Sequence, residues 1–174
     1  MLYNPNIHHR RSLRLQDYDY SQTGVYFVTI CTHLREKLFG EIHNEYMHLN
    51  QIGMITQTCW RAIPDHFPHV ETDEFIVMPN HIHGILVFTA FSDVSPSRQF
   101  SKPISGSLSV VIASFKSSVT RKIKQFNANF ATPVWQKNYH EHIIRDEISL
   151  STIRNYVINN PSTWGKDTFY CDDR

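Results

Sequence analysis

Residues 75–87 read Phe-Ile-Val-Met-Pro-Asn-His-Ile-His-Gly-Ile-Leu-Val. Two runs of aliphatic and β-branched residues flank Met78-Pro79-Asn80, which is a turn signal. The stretch predicts two strands, 70–77 and 81–89, folded back on one another. Side chains of a strand alternate between faces, so His81 and His83 point the same way and Ile82 points to the core. Two imidazoles in that relation can share a metal ion. The pattern is weak by itself. The chain has 11 histidines, and His140 and His142 repeat the spacing. Two strand histidines with satisfied hydrogen bonds are the simpler account of either pair.

Working outward, 25–31 (Val-Tyr-Phe-Val-Thr-Ile-Cys) is β-branched and aromatic and predicts a strand, with Gly24 at its start. Segments 38–42 and 46–49 predict two short strands around His43, Asn44 and Glu45. Asn50 is placed to cap a helix running to about Ile63, closed by Pro64 and Pro68. A second helix is expected from Ser107 to about Asn127. Val111, Phe115, Val119, Ile123 and Phe126 lie on one of its faces, and Lys116, Lys122 and Lys124 on another. Residues 135–144 predict a loop and a short strand. Asp146 caps a third helix that should end near Asn160, because Pro161 cannot continue it. Strands and helices alternate irregularly and hairpins recur. The expected class is α+β, an antiparallel sheet with helices on one face and a ferredoxin-like core. The 174 residues suit a single domain, 1–174, with a basic arm at 1–20 and a Ser- and Pro-rich loop at 91–107.

Composition excludes several classes. Hydrophobic residues at 41% and charged residues at 19% are ordinary for a globular chain. No apolar run reaches membrane-spanning length, and the polar, basic start has no apolar segment of a secretory signal. Cys31, Cys59 and Cys171 are scattered and odd in number, which argues against a disulfide framework and fits a reducing cytoplasm. The net charge is only +1, but the charges are segregated. From Val94 to His140 there is no acid, while Arg98, Lys102, Lys116, Arg121, Lys122, Lys124 and Lys137 are basic. Arg10, Arg11 and Arg14 repeat the bias at the start. Such segregation gives a positive face, which attracts phosphates.

Tyr156 and Asn160 are four residues apart and share a face of the third helix. A tyrosine hydroxyl is a poor nucleophile at neutral pH, its pKa being about 10. It becomes useful where a metal polarises the phosphate it attacks. Read alone, Tyr156 is one of 8 tyrosines and a partly buried aromatic on an amphipathic helix.

The ordered set is more specific than its parts. Met-Pro-Asn-His-Ile-His (78–83), Trp135-Gln136, His142-Ile143-Ile144-Arg145 and Tyr156-Val157-Ile158-Asn159-Asn160-Pro161 follow one another as in the single-tyrosine HUH transposases. The chain most resembles their REP-associated branch, relatives of the smallest insertion-sequence transposases. Arg-Arg-Ser-Leu-Arg-Leu (10–15) and Tyr-Phe-Val-Thr (26–29) add to the resemblance, which covers nearly the whole chain. It implies an HUH nuclease core, one Mg²⁺ or Mn²⁺ on His81 and His83, and Tyr156 as nucleophile. It places Asn160 as a third metal ligand, where the insertion-sequence relatives typically carry Gln. It implies cleavage and rejoining of hairpin-bearing single-stranded DNA through a 5′-phosphotyrosine, in a bacterial or archaeal cytoplasm. Arg10, Arg11, Lys116, Arg121, Lys122 and Lys124 would contact the DNA. Related enzymes act as monomers or as homodimers, and the sequence leaves that choice open.

Two other readings compete. A catalytically inactive regulator binding hairpin DNA or RNA needs neither metal nor tyrosine. A hydrolase of small phosphoesters with a metal-bound water needs no basic face. That Tyr156 and both histidines are all present opposes the first, and the acid-free stretch 94–140 opposes the second.

Overall fold

The computed structural model describes residues 22–90 and 106–170. Among these residues six strands form, β1 (Gly24–Cys31), β2 (Gly40–His43), β3 (Tyr46–Leu49), β4 (Val70–Val77), β5 (His81–Phe88) and β6 (His140–Ile144). The helices are α1 (Gln51–Arg61), the short α2 (Ile63–His66), α3 (Leu108–Phe126) and α4 (Glu147–Asn159). The main sheet has the order β4-β5-β1-β6, and every neighbouring pair is antiparallel. With α1 and α3 as the crossovers, this is the β-α-β-β-α-β arrangement of a ferredoxin-like core. The β2–β3 hairpin is a separate two-stranded sheet inserted before α1. Its tight turn puts Asn44 and Glu45 in the left-handed region, as a two-residue hairpin turn requires.

Local chemistry sets the helix ends. Asn50 Oδ1 accepts from the Gly53 N–H at 2.9 Å and Asp146 Oδ1 from the Ser149 N–H at 2.8 Å, so both expected caps form. The expected helix end near Ile63 divides into two elements. α1 stops at Arg61, and Pro64 sits in the first turn of α2, where its missing N–H costs nothing. Ser107 caps α3 with extended backbone. Phe126, expected on the packed face, is exposed, because the last turn of α3 runs past the packed layer.

The sheet has two different faces. Tyr26, Val28, Ile30, Ile82, Leu86 and Phe88 meet α1 and α3 in the main core. Trp60 of α1 is fully buried there and lies against Gly84, where an added Cβ would come within 2.3 Å of the indole. The other face carries Val25, Phe27 and Ile85, which pack with Ile144 and with Leu150 and Ile153 of α4. Helices therefore cover both faces, where a single covered face was expected. The odd-numbered side chains of β1 and β5 face α4, and these include both histidines of the motif. Among the described residues no helix is long and apolar enough to cross a membrane.

Candidate active site

β1 and β5 are the two central strands, and their register sets Thr29 opposite His83 and Cys31 opposite His81. Both histidines are buried, His81 at 0% and His83 at 1% exposure. Their rings lie 4.4 Å apart. Phe27 stacks on His83 with centroids 5.3 Å apart, and Phe169 adjoins His81 at 4.9 Å.

Each imidazole is held through Nδ1. Asn80, itself fully buried, donates from Nδ2 to the carbonyls of Arg35 (3.2 Å) and Phe169 (2.8 Å). Its oxygen must then face His81 Nδ1, which it does at 2.9 Å. An amide oxygen only accepts, so Nδ1 carries the proton and Nε2 presents a bare lone pair. His83 Nδ1 lies 2.9 Å from Thr29 Oγ1. The same tautomer there lets Tyr156 Oη donate to His83 Nε2, at 3.1 Å. Asn80 also anchors a strained turn, in which Leu34 and Arg35 adopt positive φ of 52° and 58°. Thr32 Oγ1 donates to the Asn80 carbonyl at 2.9 Å and closes that turn onto the site.

The electrostatics follow from burial. Desolvation, with the nearby Arg35 charge, pushes the His81 pKa down to about 3. Desolvation, reinforced by His81 and opposed by Asp167, holds His83 well below its usual value. Both rings are thus neutral, the form that binds metals. Burial and the Asp167 carboxylate raise the Tyr156 phenol above 10.0, while a hydrogen bond from Asn160 opposes them.

His81, His83, Tyr156 and Asn160 are brought together. Asn160 is 1% exposed at the end of α4. Its Nδ2 donates to Asp167 Oδ2 at 2.8 Å. Asn160 Oδ1 and His81 Nε2 are buried and lack hydrogen-bond partners. Asp167 stood out in no sequence pattern. It reaches the site because the 3-10 turn Pro161–Lys166 folds the chain back after Pro161 ends the α-helical ladder. Ligand-type atoms of His81, His83 and Asp167 all lie within 4.8 Å of one another, the one such cluster among the described residues. His140 and His142 sit exposed on β6 and do not join it.

The basic residues are distributed otherwise. Arg121, Lys122 and Lys124 are exposed on α3, which lies across the sheet from α4. Lys116 is half-buried, and its Nζ donates to the carbonyls of Gln136 and Asn138, each at 3.0 Å. Desolvation lowers its pKa to about 8. Arg10, Arg11, the arm 1–20 and most of 91–107 lie outside the described residues. Trp135 donates from Nε1 to the Lys116 carbonyl at 3.1 Å, and Trp164 is buried 5.9 Å from the His81 ring.

A ferredoxin-like sheet with an H-x-H pair on a central strand, faced by one tyrosine from a C-terminal helix, defines the class as a single-tyrosine HUH fold. A Haemophilus influenzae protein of undescribed activity is 42% identical over 178 aligned residues, covering 98% of each chain. A second H. influenzae chain, described as a REP-associated tyrosine transposase, is 28% identical over 156 residues, 84% of this chain and 75% of its own. The solved structure of a REP-associated tyrosine transposase bound to a REP hairpin shares the fold, with a TM-score of 0.57 and 18% identity over 87% of this chain and 75% of that one. No protein-family profile matches the chain. The chain thus shares the fold of a REP-associated tyrosine transposase and is similar in sequence, over most of its length, to a chain so described.

Proposed function

We propose that the chain cleaves and rejoins single-stranded, hairpin-bearing DNA, with Tyr156 as the nucleophile. The observation that carries this reading is the 3.1 Å approach of Tyr156 Oη to His83 Nε2 within one chain. Tyr156 Oη attacks a backbone phosphorus, the bond to the 3′ oxygen breaks, and the phenol proton is replaced by the new P–O bond. The products are a free 3′-OH, which has gained a proton, and a 5′-phosphotyrosine. A 3′-OH of another strand then attacks that phosphorus and returns the phenol. One phosphodiester is exchanged for another, so no external energy is consumed.

The residues present fit a divalent ion. Two neutral imidazoles aim their Nε2 atoms into one space, and the buried Asn160 oxygen lacks a partner. Mg²⁺ or Mn²⁺ would be held by His81, His83 and Asn160. When bound it supplies Lewis-acid stabilisation of the charge that develops on the phosphate. The protein's own groups explain why help is needed. Burial lowers the basicity of His83 and raises the pKa of Tyr156. The two are therefore poorly matched for proton transfer, and their contact is an inert hydrogen bond until charge balance in the site changes.

Hairpin DNA bound by the structural relative supports a similar substrate here. Arg121, Lys122 and Lys124, with Arg10 and Arg11, would contact backbone phosphates. Such contacts make affinity fall steeply with salt. Lys116 contributes by fixing the 136–138 loop. Because the tyrosine reaches histidines of its own chain, a monomer suffices for cleavage.

The test is a labelled hairpin oligonucleotide incubated with the chain and Mn²⁺, then resolved on a denaturing gel. A covalent adduct is expected from the wild type and none from Tyr156→Phe, although that variant still binds the oligonucleotide. An adduct from Tyr156→Phe overturns the assignment.

A further inference from the structure

Asp167 lies seven residues past Asn160, at the end of the turn that folds back over the histidines. Its N–H donates to the Trp164 carbonyl at 3.0 Å, and Trp164 packs beside His81. Its Oδ1 accepts from the Phe169 N–H at 2.6 Å and its Oδ2 from Asn160 Nδ2 at 2.8 Å. The Phe169 carbonyl in turn accepts from Asn80 Nδ2, the amide that fixes the His81 tautomer. One hydrogen-bonded chain thus runs from His81 through Asn80 and the 167–169 segment to Asn160.

Two consequences follow. With Nδ2 of Asn160 donating to Asp167, the amide oxygen is left buried without a partner. The carboxylate also changes the charge of the site. Two neutral imidazoles and an amide carry none, which poorly offsets desolvation of a dication. Mg²⁺ in particular favours oxygen and carboxylate ligands. A carboxylate oxygen of Asp167 lies within 4.8 Å of the histidine nitrogens. Each carboxylate oxygen accepts one hydrogen bond here and retains further acceptor capacity.

We propose that Asp167 is the anionic member of the divalent-cation site: it supplies a carboxylate oxygen to the ion and holds Asn160 beside the site through its amide nitrogen. The proposal rests on the metal reading above and deepens it. A carboxylate that only capped the C-terminal turn would matter to the apo fold and not to the ion.

The experiment is calorimetric titration of Mn²⁺ into the full, metal-free chain without DNA. Asp167→Asn keeps an oxygen to accept from Phe169, removes the charge and turns an amide NH₂ towards the Asn160 Nδ2 that Asp167 accepts from. It should bind Mn²⁺ about 10- to 100-fold more weakly than the wild type, while its apo form stays folded by circular dichroism. His81→Ala should lose the site. Wild-type affinity in Asp167→Asn, beside loss in His81→Ala, would reduce Asp167 to a cap and leave the metal reading standing. Wild-type affinity in both would remove the metal reading and this proposal together. A measurement on the wild type guards against a variant that misfolds. One equivalent of Mg²⁺ should shift a carboxylate stretching band in the infrared difference spectrum, and an unshifted spectrum refutes carboxylate ligation.

Discussion

Tyr156 Oη and His83 Nε2 are 3.1 Å apart in a single chain, and the far side of the His83 ring is tied to Thr29 at 2.9 Å. The reach comes from α4 lying across the sheet face that carries the histidines. It predicts that nucleophile and imidazole pair act in cis. A mixture of Tyr156→Phe and His83→Ala should form no more DNA adduct than either variant alone. Recovery of adduct in the mixture would show that the tyrosine serves a neighbouring subunit.

The position of α4 depends on a contact made by a bulge. Between Thr72 and Phe75, β4 has two residues opposite one on β5. The bulge re-aims Asp73 towards α4, where Arg154 Nε meets its carboxylate oxygens at 2.9 and 3.2 Å. Arg154 is two residues before Tyr156. Asp73→Asn should lower adduct yield about 10- to 100-fold, the scale expected of roughly 1 Å misplacement, with helix content retained by circular dichroism. The Arg154 hydrogen bond holds the Asp73 carboxyl below its ordinary 3.8, against a smaller opposing effect of burial. Its folded pKa lies below its unfolded one, so the stabilisation is present above the ordinary value and disappears as pH falls through the lowered one. The difference in melting temperature between wild type and Asp73→Asn should therefore close below about pH 4.

Burial of the histidines predicts a second pH effect, opposite in origin. Unfolded, His81 takes a proton near 6.5; folded, it resists one until about 3. The unfolded state binds more protons between those values, so stability must fall as pH drops through that window. The slope is at most about 1.4 kcal/mol per pH unit for each such histidine, and His83 acts in the same direction. Urea denaturation with chelator at pH 7, 6 and 5 should show His81→Asn losing less stability than the wild type over that range. Parallel curves would mean that the ring is accessible to solvent protons.

Much of this was legible in local chemistry. The alternation around Met78-Pro79-Asn80 gave the hairpin and the shared face of His81 and His83. Asn50 and Asp146 announced two helices, and Pro161 ended the third. What stayed hidden depends on residues distant in sequence. Nothing near 150 says that α4 crosses to the face opposite α1 and α3; that follows from which sheet face is still uncovered. Asp73 reads as one acid in an acidic strand until the bulge turns it towards Arg154, 81 positions later. Asp167 has no spacing signal, because its approach depends on a 3-10 turn that Pro161 starts rather than prevents. Lys116 looks like its exposed neighbours, yet the 136–138 carbonyls claim it.

The glycine after the motif provides a last test, of packing rather than chemistry. Gly84 follows His83 and points to the opposite face, where the Trp60 ring lies so near that a Cβ would sit 2.3 Å from it. Trp60 cannot yield easily, being fully buried, with Phe115 edge-on at 5.2 Å and Phe75 stacked at 5.8 Å. Gly84→Ala should therefore destabilise the fold by about 1–3 kcal/mol, the range for overpacking a core. It should also displace β5 and with it His83, lowering adduct yield at temperatures where the chain remains folded. Pairing it with Trp60→Leu makes room for the methyl group, so the double variant should lose less stability than the sum of the two single changes. Strict additivity in urea denaturation would show that the ring and the glycine do not constrain one another.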